Sequence, residues 1–267
     1  MKRPEHLPDF TNPPLDEVVL GVQFSPVPSY TSVHARGVSD LFKGEYPTVQ
    51  EQPLLQPQFE TFGGANLQPS FQFQVGAPPV GSRLWFVSDE ENHLLQFQSD
   101  RFLTNWRKSP NPQPYPHFEG IAEAFERNLK LLASHLESDL DCTIDINQAE
   151  VTYINIIPVE DFSHAGSWFS FWNSGISNIE GINASFNEVV VDANGKPYAR
   201  LFHAIQSVYT TDGKRKAFNL SLTFRGKPSG NDVALAMKFL TVGREAIVMR
   251  FKQMTTGEAH NQWGIIG

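Results

Sequence analysis

The chain has almost no cysteine. Cys142 stands alone among 267 residues, which rules out an intramolecular disulfide and leaves no second thiolate for a metal site. No basic residue adjoins it and Asp141 precedes it, so it reads as a structural buried thiol and not as a nucleophile. Apolar runs of the ~20 residues a membrane span needs are missing too. The opening Met1-Lys2-Arg3-Pro4-Glu5-His6 lacks the apolar core of a secretory signal. These absences set the expectation of a cytoplasmic protein with no membrane contact.

Catalytic and cofactor motifs are equally scarce. No Gly-x-x-x-x-Gly-Lys-Ser/Thr or Gly-x-Gly-x-x-Gly occurs, and Asn194-Gly195-Lys196 is only a turn. The eight histidines are scattered without paired spacing, so no metal is expected. A Gly-x-Ser-x-Gly elbow is absent. Asp89, Glu90 and Glu91 are consecutive on a turn, where solvation explains them better than acid–base work. The sequence therefore points away from an enzyme and calls for no cofactor.

What the chain has is aromatic and cut short. It carries 21 Phe, with 19 Pro and 19 Gly punctuating it, and many aromatics alternate with polar residues, as on half-buried strands. Val18 to Phe24 reads as a strand, Tyr30 to Phe42 as a short helix, and Tyr46 to Pro69 as loop. Phe71, Phe73 and Val75 alternate as a further strand. Arg83 to Ser88 and Leu94 to Gln98 flank an Asp-Glu-Glu-Asn turn, a hairpin signature. Ile121, Phe125, Leu129, Leu132 and Leu136 then form one helical stripe, with Glu119 and Glu123 in its first turns, where negative charge suits the helix dipole.

The second part repeats the plan. A strand from Val151 to Val159 precedes an aromatic loop. Strands Glu188 to Asp192, Ala199 to Tyr209 and Ala217 to Phe224 are joined by turns at Asn194-Gly195 and Asp212-Gly213. A long helix from Asp232 to Met254 closes the series, with Ser229 and Asp232 spaced like a capping box. Runs of antiparallel strands followed by a helix predict an α+β fold. The expected architecture is antiparallel sheets with one long helix packed in each of two similar halves, residues 1–145 and 146–267, which could also form a single domain.

Charge is segregated. Residues 196–252 hold eleven Lys or Arg against three acids, a net of +8, whereas residues 1–195 hold 10 bases and 25 acids, a net of −15. Three readings follow. The basic stretch docks on the acidic part or on a second subunit, it meets an acidic protein partner, or it draws nucleic acid to Lys214, Arg215 and Lys216 with Arg225 and Lys227 nearby. The acidic remainder would repel a phosphate backbone, so nucleic acid ranks last.

Trp168, Phe169, Phe171 and Trp172 are the candidate anchors for a partner, since Trp dominates interface hot spots; a core plug is the alternative. Arg101, Trp106 and Arg107 are candidates for a cation–π stack. A pocket between sheet and helix using His203, Tyr153 and Arg200 would leave no local motif.

Pro14-Leu15-Asp16-Glu17-Val18-Val19, Tyr153-Ile154-Asn155, Met254-Thr255-Thr256, His260 and Trp263-Gly264 together resemble a sporadically distributed family of conserved hypothetical bacterial proteins of about this length. The resemblance spans nearly the whole chain and implies no activity. It implies a defence-associated or mobile gene neighbourhood. Trp263 is expected to tuck the tail onto a sheet, with Gly264 turning the chain, and Glu17 to bind a base of the second half. The leading expectation is a non-enzymatic interaction scaffold, for another protein or for itself, in a defence or toxin–antitoxin operon. Behind it stand a small-ligand binder or enzyme with a sheet–helix pocket, and a nucleic-acid binder.

Overall fold

The computed structural model describes residues 3–63, 82–109, 114–172, 175–210, 213 and 215–266. The strand expected at Phe71, Phe73 and Val75 lies outside them. In chain order the elements are β1 (Asp9–Phe10), β2 (Leu15–Phe24), α1 (Ala35–Phe42), β3 (Thr48–Gln52), β4 (Arg83–Val87), β5 (His93–Gln98), β6 (Arg101–Arg107), α2 (His117–Leu140), β7 (Ile146–Val159), α3 (Ala165–Trp168), β8 (Asn183–Val191), β9 (Pro197–Tyr209), β10 (Lys216–Gly226), α4 (Val233–Met254), α5 (Gly257–Trp263) and β11 (Ile265–Ile266). Short 3₁₀ turns lead into α1 and α3.

Nine strands form one antiparallel sheet, ordered β3-β4-β5-β6-β2-β7-β10-β9-β8. The α+β expectation holds. The two parts of the chain share this sheet through the β2–β7 pair, in which Val18 faces Tyr153 and Leu20 faces Val151. Element order repeats about that seam. A central strand, β2 or β7, is followed by a 3₁₀ turn and short helix, then by outer strands that return to pair with it, then by a helix of 24 or 22 residues.

Alternation assigns the two faces. Val18, Leu20, Val22 and Phe24 on β2 point one way with Phe102 and Trp106 on β6, Val151 on β7, and Phe218, Leu220, Leu222 and Phe224 on β10; all are buried in one core. That face takes α2, which buries Phe118, Ile121, Phe125, Leu129, Leu132 and Leu136, and α4, which buries Ala236, Met237, Leu240, Ile247 and Phe251. At Gly243 the helix lies so near the sheet that an added Cβ would stand 2.6 Å from Phe224 and 2.7 Å from Val151.

Several local expectations need correction. Thr48–Gln52 is an edge strand and not loop; its five residues lack a large buried side chain, so alternation left no trace. The α4 cap is Asp232 itself, accepting from Leu235 N at 2.8 Å, without Ser229. Gly195 and Gly264 do adopt positive φ (75° and 68°), as their turns require. Trp263 packs on Phe10, Trp168 and Phe251, and the tail strand β11 pairs antiparallel with β1, so the tail closes onto a small two-stranded sheet at the N-terminal arm and not onto the nine-stranded one. Cys142 is half-exposed just beyond the left-handed Asp141 that ends α2.

Candidate functional site

The sheet face away from the helices is polar. Gln23 on β2, Gln96 and Gln98 on β5, Arg101 and Asn105 on β6, Gln148 on β7 and Arg200 on β9 all lie there, and all are buried. Seven buried polar side chains on one face need partners, because an unpaired buried group costs about 1–3 kcal/mol. Gln96 and Asn105 bond each other, Arg83, Trp85 and Glu17, whereas Gln23, Gln98, Arg101 and Arg200 find partners in residues 53–62, which cross the strands as an extended strap.

The strap is gripped first through its backbone. The Gln98 amide accepts from Leu55 N and donates to Leu55 O, both at 3.0 Å. Gln23 Oε1 accepts from Gln58 N at 3.0 Å, and Arg101 Nη2 donates to Gln56 O at 2.9 Å and to Gln23 Oε1 at 2.6 Å. Such contacts recognise an extended chain irrespective of its side chains.

Side chains are read as well: Gln58 Oε1 accepts from Arg225 Nη1, and Glu60 makes the one acidic contact. Glu60, with a side chain only 1% exposed, sits between Arg200 and Arg225. Arg225 Nε donates to Glu60 Oε1 at 2.7 Å, Arg200 Nη1 donates to Oε2, and Arg200 Nη2 also reaches Thr61 O. Arg200 lies over the Phe62 ring at 4.5 Å, and Arg225 over Phe202 at 4.8 Å. A guanidinium fork matches a carboxylate in shape and charge, so this pair forms an anion clamp.

The seating under the strap is incomplete. Gln148 Oε1 and Arg101 Nε are buried with no hydrogen-bond partner among the described residues. Both residues line a small void between Gln58 and β7. Burial lowers the Arg101 pKa, with Glu150 and Asp100 opposing.

The expected anchors disperse. Phe169 is fully buried against Phe218 and so cannot meet a partner of the folded chain. Trp168 and Trp172 are partly buried against the core, Trp168 stacking on Trp263. Phe171 alone of the four is exposed, packing edge-on against the equally exposed Phe186. The loop is mostly core because β-bridging of Phe169 to Thr255 ties it to the end of α4. Lys214 lies outside the described residues. Arg215 is exposed. Lys216 is engaged, 3.3 Å from Asp161 and over the Phe162 ring; the Asp161 carboxyl is held down to about 2 by the Ser163 backbone N–H, the Ser163 side chain and Lys216.

Five of the eleven bases in the +8 stretch meet acids within the molecule. Arg200 and Arg225 meet Glu60, Lys216 meets Asp161, Arg244 meets Glu119, and Arg250 meets Glu188. Segregation along the sequence therefore becomes cross-linking in space, and the case for a broad basic surface loses four of its five arginines, Arg215 remaining exposed. Glu17 binds Arg107 and Asn105 of its own part of the chain and not a base of the second. The cation–π stack forms around Trp85, flanked by Arg83 and Arg107, and does not use Trp106.

His203, Tyr153 and Arg200 do not converge. Arg200 and His203 project from opposite faces of β9. His203 is buried under a stacked Phe186, 4.3 Å away, with Nε2 3.2 Å from Glu188 Oε1. Tyr153 lies on the helix side, in a cleft among α2, α4 and the N-terminal arm, with Tyr115, Asn155, Arg244 and Glu119 near it. Sequence reading missed Glu60, Gln98, Tyr115 and Arg244. Only the alternation of Gln and Arg with buried Phe along β5 and β6 hinted at a polar face with a function.

Among the described residues no helix is long and apolar enough to cross a membrane, and no cluster of three or more His, Cys, Asp or Glu is placed to hold a metal. Neither a family model, nor a curated protein, nor a solved structure matches this chain.

Proposed function

We propose that this chain is a non-enzymatic interaction scaffold whose open sheet face holds an extended, acidic segment of another protein. Its own residues 53–62 occupy that face in the free molecule. The observation that carries the reading is Glu60, buried in the Arg200–Arg225 clamp on a strap whose Leu55, Gln56 and Gln58 are held through their backbone. A face meant only for stability would do better with apolar residues, since a buried ion pair replaced by well-packed hydrophobic groups is often neutral or stabilising. Backbone-directed amides with a single acidic anchor are features that let one extended segment replace another.

The test uses a fluorescent peptide with the sequence of residues 53–62 and full-length protein carrying Glu60→Ala. Saturable binding to the variant, weak or no binding to wild type, and loss of binding when the peptide's glutamate becomes alanine are expected. A variant that stays folded and ignores both peptides overturns the proposal. A defence or toxin–antitoxin setting belongs to the same proposal. Co-purification from the native host with a neighbouring gene's product bearing an acidic extended segment supports it, and a chain that elutes alone counts against it.

A further inference from the structure

The second polar cluster lies on the opposite side of the sheet, and nothing in the strap involves it. Between α2, α4 and β7 a cleft of about 70 Å³ opens beside the N-terminal arm. Its walls are apolar, from Leu15, Phe118, Ile247 and Phe251, and its floor is not. Tyr115 donates to Tyr153 across 3.5 Å, a long hydrogen bond between two phenols. Tyr153 thus accepts, and no acceptor among the described residues takes its own O–H proton. Arg244, only 2% exposed, lines the same cleft as Tyr153. Glu119 takes one of its five N–H groups, at 2.8 Å.

Donors therefore converge on the floor while apolar groups line the walls. Burial raises the pKa of both phenols, Tyr115 well above its ordinary value, so both remain protonated donors throughout the physiological range. The space is smaller than an engineered cavity of about 150 Å³ that accepts benzene, which limits the occupant to a few heavy atoms unless it extends through the mouth.

We propose that this cleft binds a short-chain monocarboxylate, with one carboxylate oxygen accepting from Tyr153 and the other from Arg244, and the alkyl end against Ile247 and Phe251. A guanidinium beside a hydroxyl presents two parallel donors, which a carboxylate fills and a single acceptor does not. Glu119 and Asp9 offset the charges of Arg244 and Arg3, so binding is weak and depends on shape and hydrogen bonding more than on net charge.

Ligand-observed NMR titration of the full-length chain with sodium butyrate tests this, with butyramide as the uncharged control. Saturable binding at millimolar butyrate is expected, with butyramide weaker. Tyr153→Phe should weaken butyrate about five-fold, the order of one hydrogen bond. Val248→Phe, which fills the mouth from a half-buried position, should abolish it with the circular dichroism spectrum unchanged. Absence of saturable binding, equal affinity for butyramide, or butyrate binding that both folded variants retain unchanged overturns the assignment.

Discussion

At the scale of single residues, the buried charges make the sharpest demands. Glu60 compensates two guanidinium groups that are almost out of contact with water. Glu60→Ala is therefore expected to lower the urea-unfolding free energy by about 3 kcal/mol, the cost of breaking a buried pair on one side. Replacing Glu60, Arg200 and Arg225 together by methionine should recover most of that loss, because the charged partner then left, Glu150, is a quarter exposed to water. Gly243→Ala should cost about 1–3 kcal/mol by overpacking against Phe224 and Val151. Histidines give a pH dependence of definite sign. Burial lowers the folded-state pKa of His93, His203 and His260 below 6.5. Around His203, Glu188 opposes that shift and Arg250 reinforces it. Below pH 6.5 the unfolded chain takes up protons that the folded chain resists, so stability rises with pH across this window. The urea midpoint should fall between pH 7.5 and pH 5.5, and an unchanged midpoint contradicts the assignment.

Elements differ in how their stability is held, and in how openly the sequence announces them. The α4 helix starts at a side-chain cap, so Asp232→Ala should destabilise by about 1 kcal/mol in the same assay. Strap amides such as Leu55 and Gln58 are held by side chains alone, whereas those of β2 are held in a ladder on both sides. Hydrogen exchange should therefore free the strap amides first, through local opening and not global unfolding. Helical stripes and the Asn194-Gly195 turn were readable because their determinants lie within a few residues of one another. The strap was not, since Glu60 meets partners 140 and 165 residues away and its own neighbours read as proline-rich loop. For the same reason Phe169 looked exposable. Its burial depends on Phe218 and on the end of α4, which no local pattern encodes. The β3 edge, Thr-Val-Gln-Glu-Gln, has no apolar face to alternate with, so periodicity could not find it.

For the whole molecule, element order repeats on either side of residue 145. The nine strands are continuous through β2 and β7, and Arg244 of the second part meets Glu119 of the first. Thermal unfolding should accordingly be one calorimetric transition, with equal van't Hoff and calorimetric enthalpies; two resolved transitions would show independent halves.

The central pairing also has a consequence during synthesis. A ribosome adding about 5–20 residues per second finishes β2 on the order of ten seconds before β7 emerges. For that interval one flank of β2 has its amides and carbonyls unmatched, since β6 can satisfy only the other. Nascent chains paused between the two strands carry an adhesive border, and holding such chains apart falls to whatever chaperone first meets them.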